Sequence, residues 1–123
     1  MIFNMTYRSI RHISNYDSWF DRTMTSVDYF FSTIGNRAFN SFPTLIYVNA
    51  SQCQYIGELA FGYCSTLSQV SFPACTNIGE YAFYSCSALT QASFSVCTSI
   101  SGSAFRGCKS LTQVSFPACT YIG

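Results

Sequence analysis

Charge is what this chain has least of. Asp, Glu, Lys and Arg make up 9% of its 123 residues and sum to +1. So neutral a chain offers no basic field to draw nucleic acid by counterion release or anionic lipid by surface potential. No nucleic-acid partner is therefore expected. Long apolar runs are missing too: no stretch approaches the roughly 18 consecutive apolar residues of a spanning helix. Met1 to Ser14 has no basic start followed by an apolar core. Neither membrane insertion nor a secretion signal is expected in this chain.

Chemistry-bearing combinations are as scarce as charge. His12 is the only histidine and no Cys-x-x-Cys pair occurs, so a zinc site of ordinary spacing has no ligands to draw on. A Ser–His–acid triad would have to recruit His12 from outside the repeated part of the chain. Ser101-Gly102-Ser103 fits a turn, not a nucleophile elbow. Glu58 and Glu80 share one repeat position, where two stacked carboxylates are conceivable, but nothing around them predicts the burial that would shift their titration. They are expected to be solvated surface acids. No catalytic residue, metal or cofactor is assigned, and the chain is not expected to be an enzyme. Asn4-Met5-Thr6 and Asn49-Ala50-Ser51 fit the glycosylation acceptor, a match expected by chance in a chain rich in Asn, Ser and Thr.

What the chain has is a period. With 49% apolar and 18% aromatic residues there is ample material for one packed domain, and that material recurs in a 22-residue pattern. Ile34, Ile56, Ile78, Ile100 and Ile122 form one column, Phe39, Phe61, Phe83 and Phe105 a second, and Leu45, Leu67, Leu89 and Leu111 a third. A fixed period of this size marks a repeat architecture in which each unit buries its apolar face against its neighbours. Units run at 34–55, 56–77, 78–99 and 100–121, followed by the stub Ile122-Gly123. Val27 to Thr33 leads into Ile34 one residue more briefly than Val70 to Asn77 leads into Ile78, and is expected to be a degenerate first strand. The organisation is thus a cap segment at 1–28 and a solenoid at 29–123. Within the cap, Ser14 to Met24 suits an amphipathic helix, with Trp19 and Phe20 covering the first coil in preference to anchoring a ligand.

The pattern changes period inside each unit. Val70 and Phe72 lie two apart around Ser71, as in a short parallel strand, and Pro73 follows where a missing N–H does least harm. Ile78, Ala82, Phe83 and Cys86 then fall at spacings that suit a helical turn or two, entered through Gly79 as a tight bend. Ser101 takes the glycine position of the fourth unit, so the bend there is expected to shift by one residue.

The string Leu-x-x-Val-x-Phe-x-x-Cys-x-x-Ile from Leu67 to Ile78, matched in kind from Leu89 to Ile100 and Leu111 to Ile122, is similar to the leucine-rich repeat. Its continuation, Ile78-Gly79-Glu80-Tyr81-Ala82-Phe83-Tyr84-Ser85-Cys86, resembles the subclass found in BspA-like surface proteins. The resemblance implies an α/β-type repeat solenoid. This is a right-handed superhelix with a parallel β-sheet on its concave face and short helical or 3₁₀ turns on the other. It further implies a cell-surface or extracellular setting, with a role in attachment at bacterial or protozoan surfaces or in virus tail proteins of gut bacteria.

Cys53, Cys64, Cys75, Cys86, Cys97, Cys108 and Cys119 stand at equal intervals, which at first suggests a disulfide framework. The interval is half the period, so they divide into two columns of small, packed side chains with a weak S–H donor. Coil stacking at about 4.8 Å puts column neighbours within disulfide range, but their parallel Cβ vectors make reduced, packed thiols the favoured state.

The candidate binding surface is the outward side of the strands. Tyr47, Gln69, Gln91 and Gln113 stack in one row and Asn49, Ser71, Ser93 and Ser115 in the next. Amides and hydroxyls in such rows suit a protein or carbohydrate ligand, unless the glutamines hydrogen-bond only to one another along the stack. A second possibility is assembly, with homo-oligomers forming through the C-terminal edge, where Leu111, Val114 and Phe116 await a covering layer.

Overall fold

The computed structural model describes the strands at 2–4 and 12–13 by their backbone, and then residues 25–29 and 32–122. The expected helix over 14–24, with Trp19 and Phe20, lies outside the described residues.

Each coil contributes one strand of three residues and one of two. The longer strands, β1 (Ile2–Asn4), β3 (Ser26–Asp28), β5 (Tyr47–Asn49), β7 (Gln69–Ser71), β9 (Gln91–Ser93) and β11 (Gln113–Ser115), form one parallel sheet in chain order. The shorter ones, β2 (His12–Ile13), β4 (Thr33–Ile34), β6 (Tyr55–Ile56), β8 (Asn77–Ile78), β10 (Ser99–Ile100) and β12 (Tyr121–Ile122), form a second. The register is the repeat: Val48 faces Val70, which faces Ala92, which faces Val114, and Ile56 faces Ile78, which faces Ile100. The first strand begins at Ser26 and pairs one residue short of the repeat, Val27 to Val48, after which Ile34 restores the full step to Ile56. β1 and β2 continue both sheets into the first residues of the chain.

The columns pack as alternation dictates. Ile34, Ile56, Ile78, Leu45, Leu67 and Leu89 are buried, and the phenylalanines make two ladders. Phe39, Phe61, Phe83 and Phe105 stack in parallel with centroids 5.1 to 5.2 Å apart; Phe72, Phe94 and Phe116 do so at 5.3 to 5.4 Å. The spacing follows from the distance between strands. Rings of one ladder meet the other nearly edge-on, as Phe72 does Phe83 at 6.2 Å and 71°, so the core combines offset stacking with T-shaped contacts. In the coil at 34–55, Phe42 replaces a cysteine and Ala50 replaces a phenylalanine, and both are buried, which keeps core volume nearly constant.

The outer turns correct the sequence reading. Among the described residues there is neither an α-helix nor a 3₁₀-helix, so the fold is a parallel-strand β-solenoid and not an α/β one. The cause is a left-handed residue twice per coil: φ is positive at Arg37 and Ser41, Leu59 and Tyr63, Tyr81 and Ser85, Ser103 and Gly107. Backbone donors consequently alternate. Leu59, Phe61 and Tyr63 donate to Glu80, Ala82 and Tyr84 of the next coil, while Ala60, Gly62 and Cys64 donate three residues back to Gly57, Leu59 and Phe61. A helix would send every N–H back along its own chain; here every second one ties coil to coil. The spacings of Ile78, Ala82, Phe83 and Cys86 suit either path, which is why they suggested a helix.

Two further expectations fail at this bend. φ stays positive at Ser103 and Gly107, one full repeat after Tyr81 and Ser85, so the bend does not shift in the fourth unit. Gly79 serves close approach and not the bend, because a Cβ there would stand 2.7 Å from the Ile56 carbonyl oxygen and 2.8 Å from the Gly57 carbonyl carbon.

Candidate functional site

The strand face assembles from register alone. Tyr47, Gln69, Gln91 and Gln113 are Cα partners in succession, and so are Asn49, Ser71, Ser93 and Ser115. Their inward neighbours Val48, Val70 and Ala92 are buried, so pleating turns the rows outward. The strands line an open trough of about 440 Å³ that runs from Tyr47 to Ser115. Among the described residues, none of the eight outward side chains hydrogen-bonds to another residue; in particular the glutamines do not bond to one another along the stack.

Sequence reasoning missed how far the rows reach. Ser26 faces Tyr47 and Asp28 faces Asn49, so the rows extend by one strand and gain a carboxylate at their N-terminal end. Aligning the first strand one position short of the full repeat would have found it.

Thiol chemistry is suppressed by packing. All seven cysteines are thiols. Cys64, Cys86 and Cys108 donate to the carbonyls of Phe39, Phe61 and Phe83 at 3.0 to 3.1 Å, and Cys53, Cys75 and Cys97 donate to those of Tyr55, Asn77 and Ser99 at 3.3 to 3.4 Å. Burial pushes the Cys53 thiol up to about 12 and raises Cys75 and Cys97 as well. Within the Cys86–Cys108 pair, the neighbouring thiol and then burial raise Cys86; its partner lowers Cys108, which is nearer the surface. A thiol kept protonated is a poor nucleophile and a poor metal ligand.

Glu58 and Glu80 are exposed. His12 faces Thr33 across β2 and β4 by its backbone, and its side chain is not described. Among the described residues, no group of three or more His, Cys, Asp or Glu could hold a metal ion, and no helix is long and apolar enough to cross a membrane.

A second surface lies on the outer turns, where sequence reasoning assigned nothing. Tyr63 meets Tyr84 with ring centroids 5.3 Å apart at 69°, and Tyr81 meets Tyr84 at 5.5 Å and 80°. With Leu59 and Arg106 they line a hollow of about 300 Å³. These residues occupy several columns, so the repeat did not bring them together on paper. Bulky side chains at positions where other units carry Ser or Gly were the available signal.

The model of the BspA-type leucine-rich repeat region matches residues 23–123 in six copies. In structure the chain is similar to a leucine-rich cell surface protein from Faecalibacterium prausnitzii A2-165, at 25% identity and a TM-score of 0.78, over 99% of this chain and 32% of that one. It is also similar to a leucine-rich repeat protein of T. pallidum, at 24% identity and a TM-score of 0.82, over 91% of this chain and 56% of that one. A leucine-rich repeat protein from Bacteroides ovatus ATCC 8483 matches at 20% identity and a TM-score of 0.61, over 99% and 44%. The last two likenesses concern the fold alone, and the chain spans from 32% to 56% of the length of these relatives. No curated protein matches it significantly in sequence. The repeating strand register, the two parallel sheets and the match over 23–123 together mean that the chain belongs to the BspA-type leucine-rich repeat family.

Proposed function

We propose that this chain is a non-enzymatic binding module whose strand face recognises a protein or glycan, in the setting of attachment at a cell or virion surface. The observation that carries the proposal is the unspent hydrogen-bonding capacity of the two rows. Eight amide, hydroxyl and phenol groups stand at strand spacing, seven of them lining an open trough, and none is satisfied by another described residue. Such groups gain most from a ligand that meets them together, because each isolated polar contact is worth little net of the water it displaces. The surface setting is proposed from the family and from the name of the F. prausnitzii relative, a cell surface protein.

The test is to change Gln69, Gln91 and Gln113 together to Glu and measure binding to the intact cells or purified surface material that the wild-type chain retains. Amide to carboxylate preserves shape while adding three like charges one strand apart, so retention should be lost while the fold persists. Undiminished retention would sink the proposal for this face.

A second function, assembly, would run through the last described coil. Val114 is 45% exposed where its counterpart Val70 is 3%, and Leu111, Phe116 and Cys119 are half-buried where Leu67, Phe72 and Cys75 are buried. A second copy stacking on this layer would cover it. Sedimentation decides: a concentration-dependent dimer supports assembly, and a monomer at all concentrations defeats it.

A further inference from the structure

We infer that the tyrosine hollow on the outer turns is a binding site for a carboxylated sugar ring, separate from the strand face. Three observations converge on it. First, the turns bring large side chains together. Of the eight left-handed positions, Ser41, Ser85, Ser103 and Gly107 carry small residues and Arg37, Leu59, Tyr63 and Tyr81 bulky ones. The last three line this hollow, where Tyr63 and Tyr81 each meet Tyr84 edge-on.

Second, the polar tips around the hollow have no protein partner. The phenol hydroxyls of Tyr63, Tyr81 and Tyr84 and the guanidinium of Arg106 make neither a hydrogen bond nor an ion pair with any described residue. Tyr63 is 52% exposed. An apolar body carrying an unsatisfied polar tip suits a ligand that is apolar on its face and polar at its rim. A pyranose has that form, with C–H bonds on its face and hydroxyls around its edge.

Third, size and charge select among ligands. A hollow of about 300 Å³ suits one sugar ring, whereas a stable protein partner needs roughly 800 Å² on each side. Arg106 is the only charged lining residue. Its planar fork pairs with a carboxylate through two parallel hydrogen bonds. The matching ligand is therefore a uronic or sialic acid residue of a glycan.

The test uses isothermal titration with trigalacturonic acid, its methyl ester and 3′-sialyllactose. The wild-type chain should bind at least one of the two acids, and if it is the galacturonate, methyl esterification should weaken binding about tenfold. Tyr84→Ala and Tyr63→Gly should each weaken binding of that acid by about tenfold or more. Tyr63→Gly should also raise the thermal midpoint, because glycine relieves the left-handed backbone, so its loss of binding could not be misfolding. Arg106→Gln should abolish the preference for acid over ester, and Lys109→Gln, a charge removed outside the hollow, should leave binding unchanged. Failure to bind either acid, binding that survives Tyr84→Ala, or saturation of the hollow by an acidic peptide alone would overturn the assignment.

Discussion

Gln69 to Thr76 and Gln113 to Thr120 are the same eight residues in two different situations. In the first, Val70, Phe72 and Cys75 are buried between coils; in the second, Val114 is exposed and Phe116 and Cys119 are half-buried. Backbone register is common to both, since each octapeptide begins with a strand in the same parallel sheet. Local sequence thus sets the conformation of a coil, and its neighbours set its burial. Energy in a solenoid belongs to the interface between units.

Mutating the two copies alike should separate those contributions. Phe72→Ala, like Phe83→Ala, should cost roughly 3 to 5 kcal/mol by denaturant unfolding, the usual loss for a fully buried ring. Phe116→Ala should cost less than half as much in this chain, because Phe116 is half-buried where Phe72 is buried. Equal losses would break the comparison.

Next in size is the glycine contrast. Gly79→Ala inserts a methyl group against the backbone of the coil before it and should cost about 1 to 3 kcal/mol. Gly102→Ala, with nothing within 4 Å of the added atom, should be neutral or slightly stabilising in the same assay.

Alkaline pH should expose the buried thiols. The unfolded chain releases thiol protons from about pH 9, while folded Cys53 holds its proton to about 12. Stability contributed by the protonated thiol is therefore intact below pH 9 and is lost as pH climbs toward 12, at about 1.4 kcal/mol per pH unit for each such group. Cys53→Ala should flatten that slope by one proton in unfolding measured from pH 8 to 11. Within the duplicated octapeptide, alkylation followed by peptide mapping should label Cys119 in the folded chain and Cys75 only after unfolding.

The smallest effect lies in the turn. Ser85→Gly should stabilise by up to about 1 kcal/mol, since Gly107 already holds the corresponding left-handed position one repeat on. A loss instead, read from the thermal midpoint, would show that the Ser85 side chain contributes more than its backbone costs.

The parts of this fold that the sequence made legible are those governed by side-chain periodicity. The Ile, Leu and Phe columns, the strands and the stacked Gln and Ser rows follow from the 22-residue repeat, because burial and alternation leave a compositional trace. The outer turn left none. Leu59, Tyr63 and Tyr81 are not turn residues, and their left-handed conformation is imposed by hydrogen bonds to the next coil, such as that from the Tyr63 N–H to the Tyr84 carbonyl at 2.7 Å. Likewise Gly57 and Gly79 suggested a bend, but what singles them out is how closely the backbone of the preceding coil approaches. Contacts between units are invisible to a reading that takes one unit at a time.

The alternating donors of the outer turn make the length of the molecule an adjustable quantity. A donor such as that of Leu59 looks for its acceptor in the next unit, one position short of its own counterpart, at Glu80, and Tyr81 looks to Gly102 in the same way. Adding or removing one complete unit regenerates all these pairings and changes the stack by about 4.8 Å, whereas gaining or losing a single residue disrupts them throughout a coil. The fold therefore tolerates change by whole coils, each of which alters the reach of the surface without altering the coil.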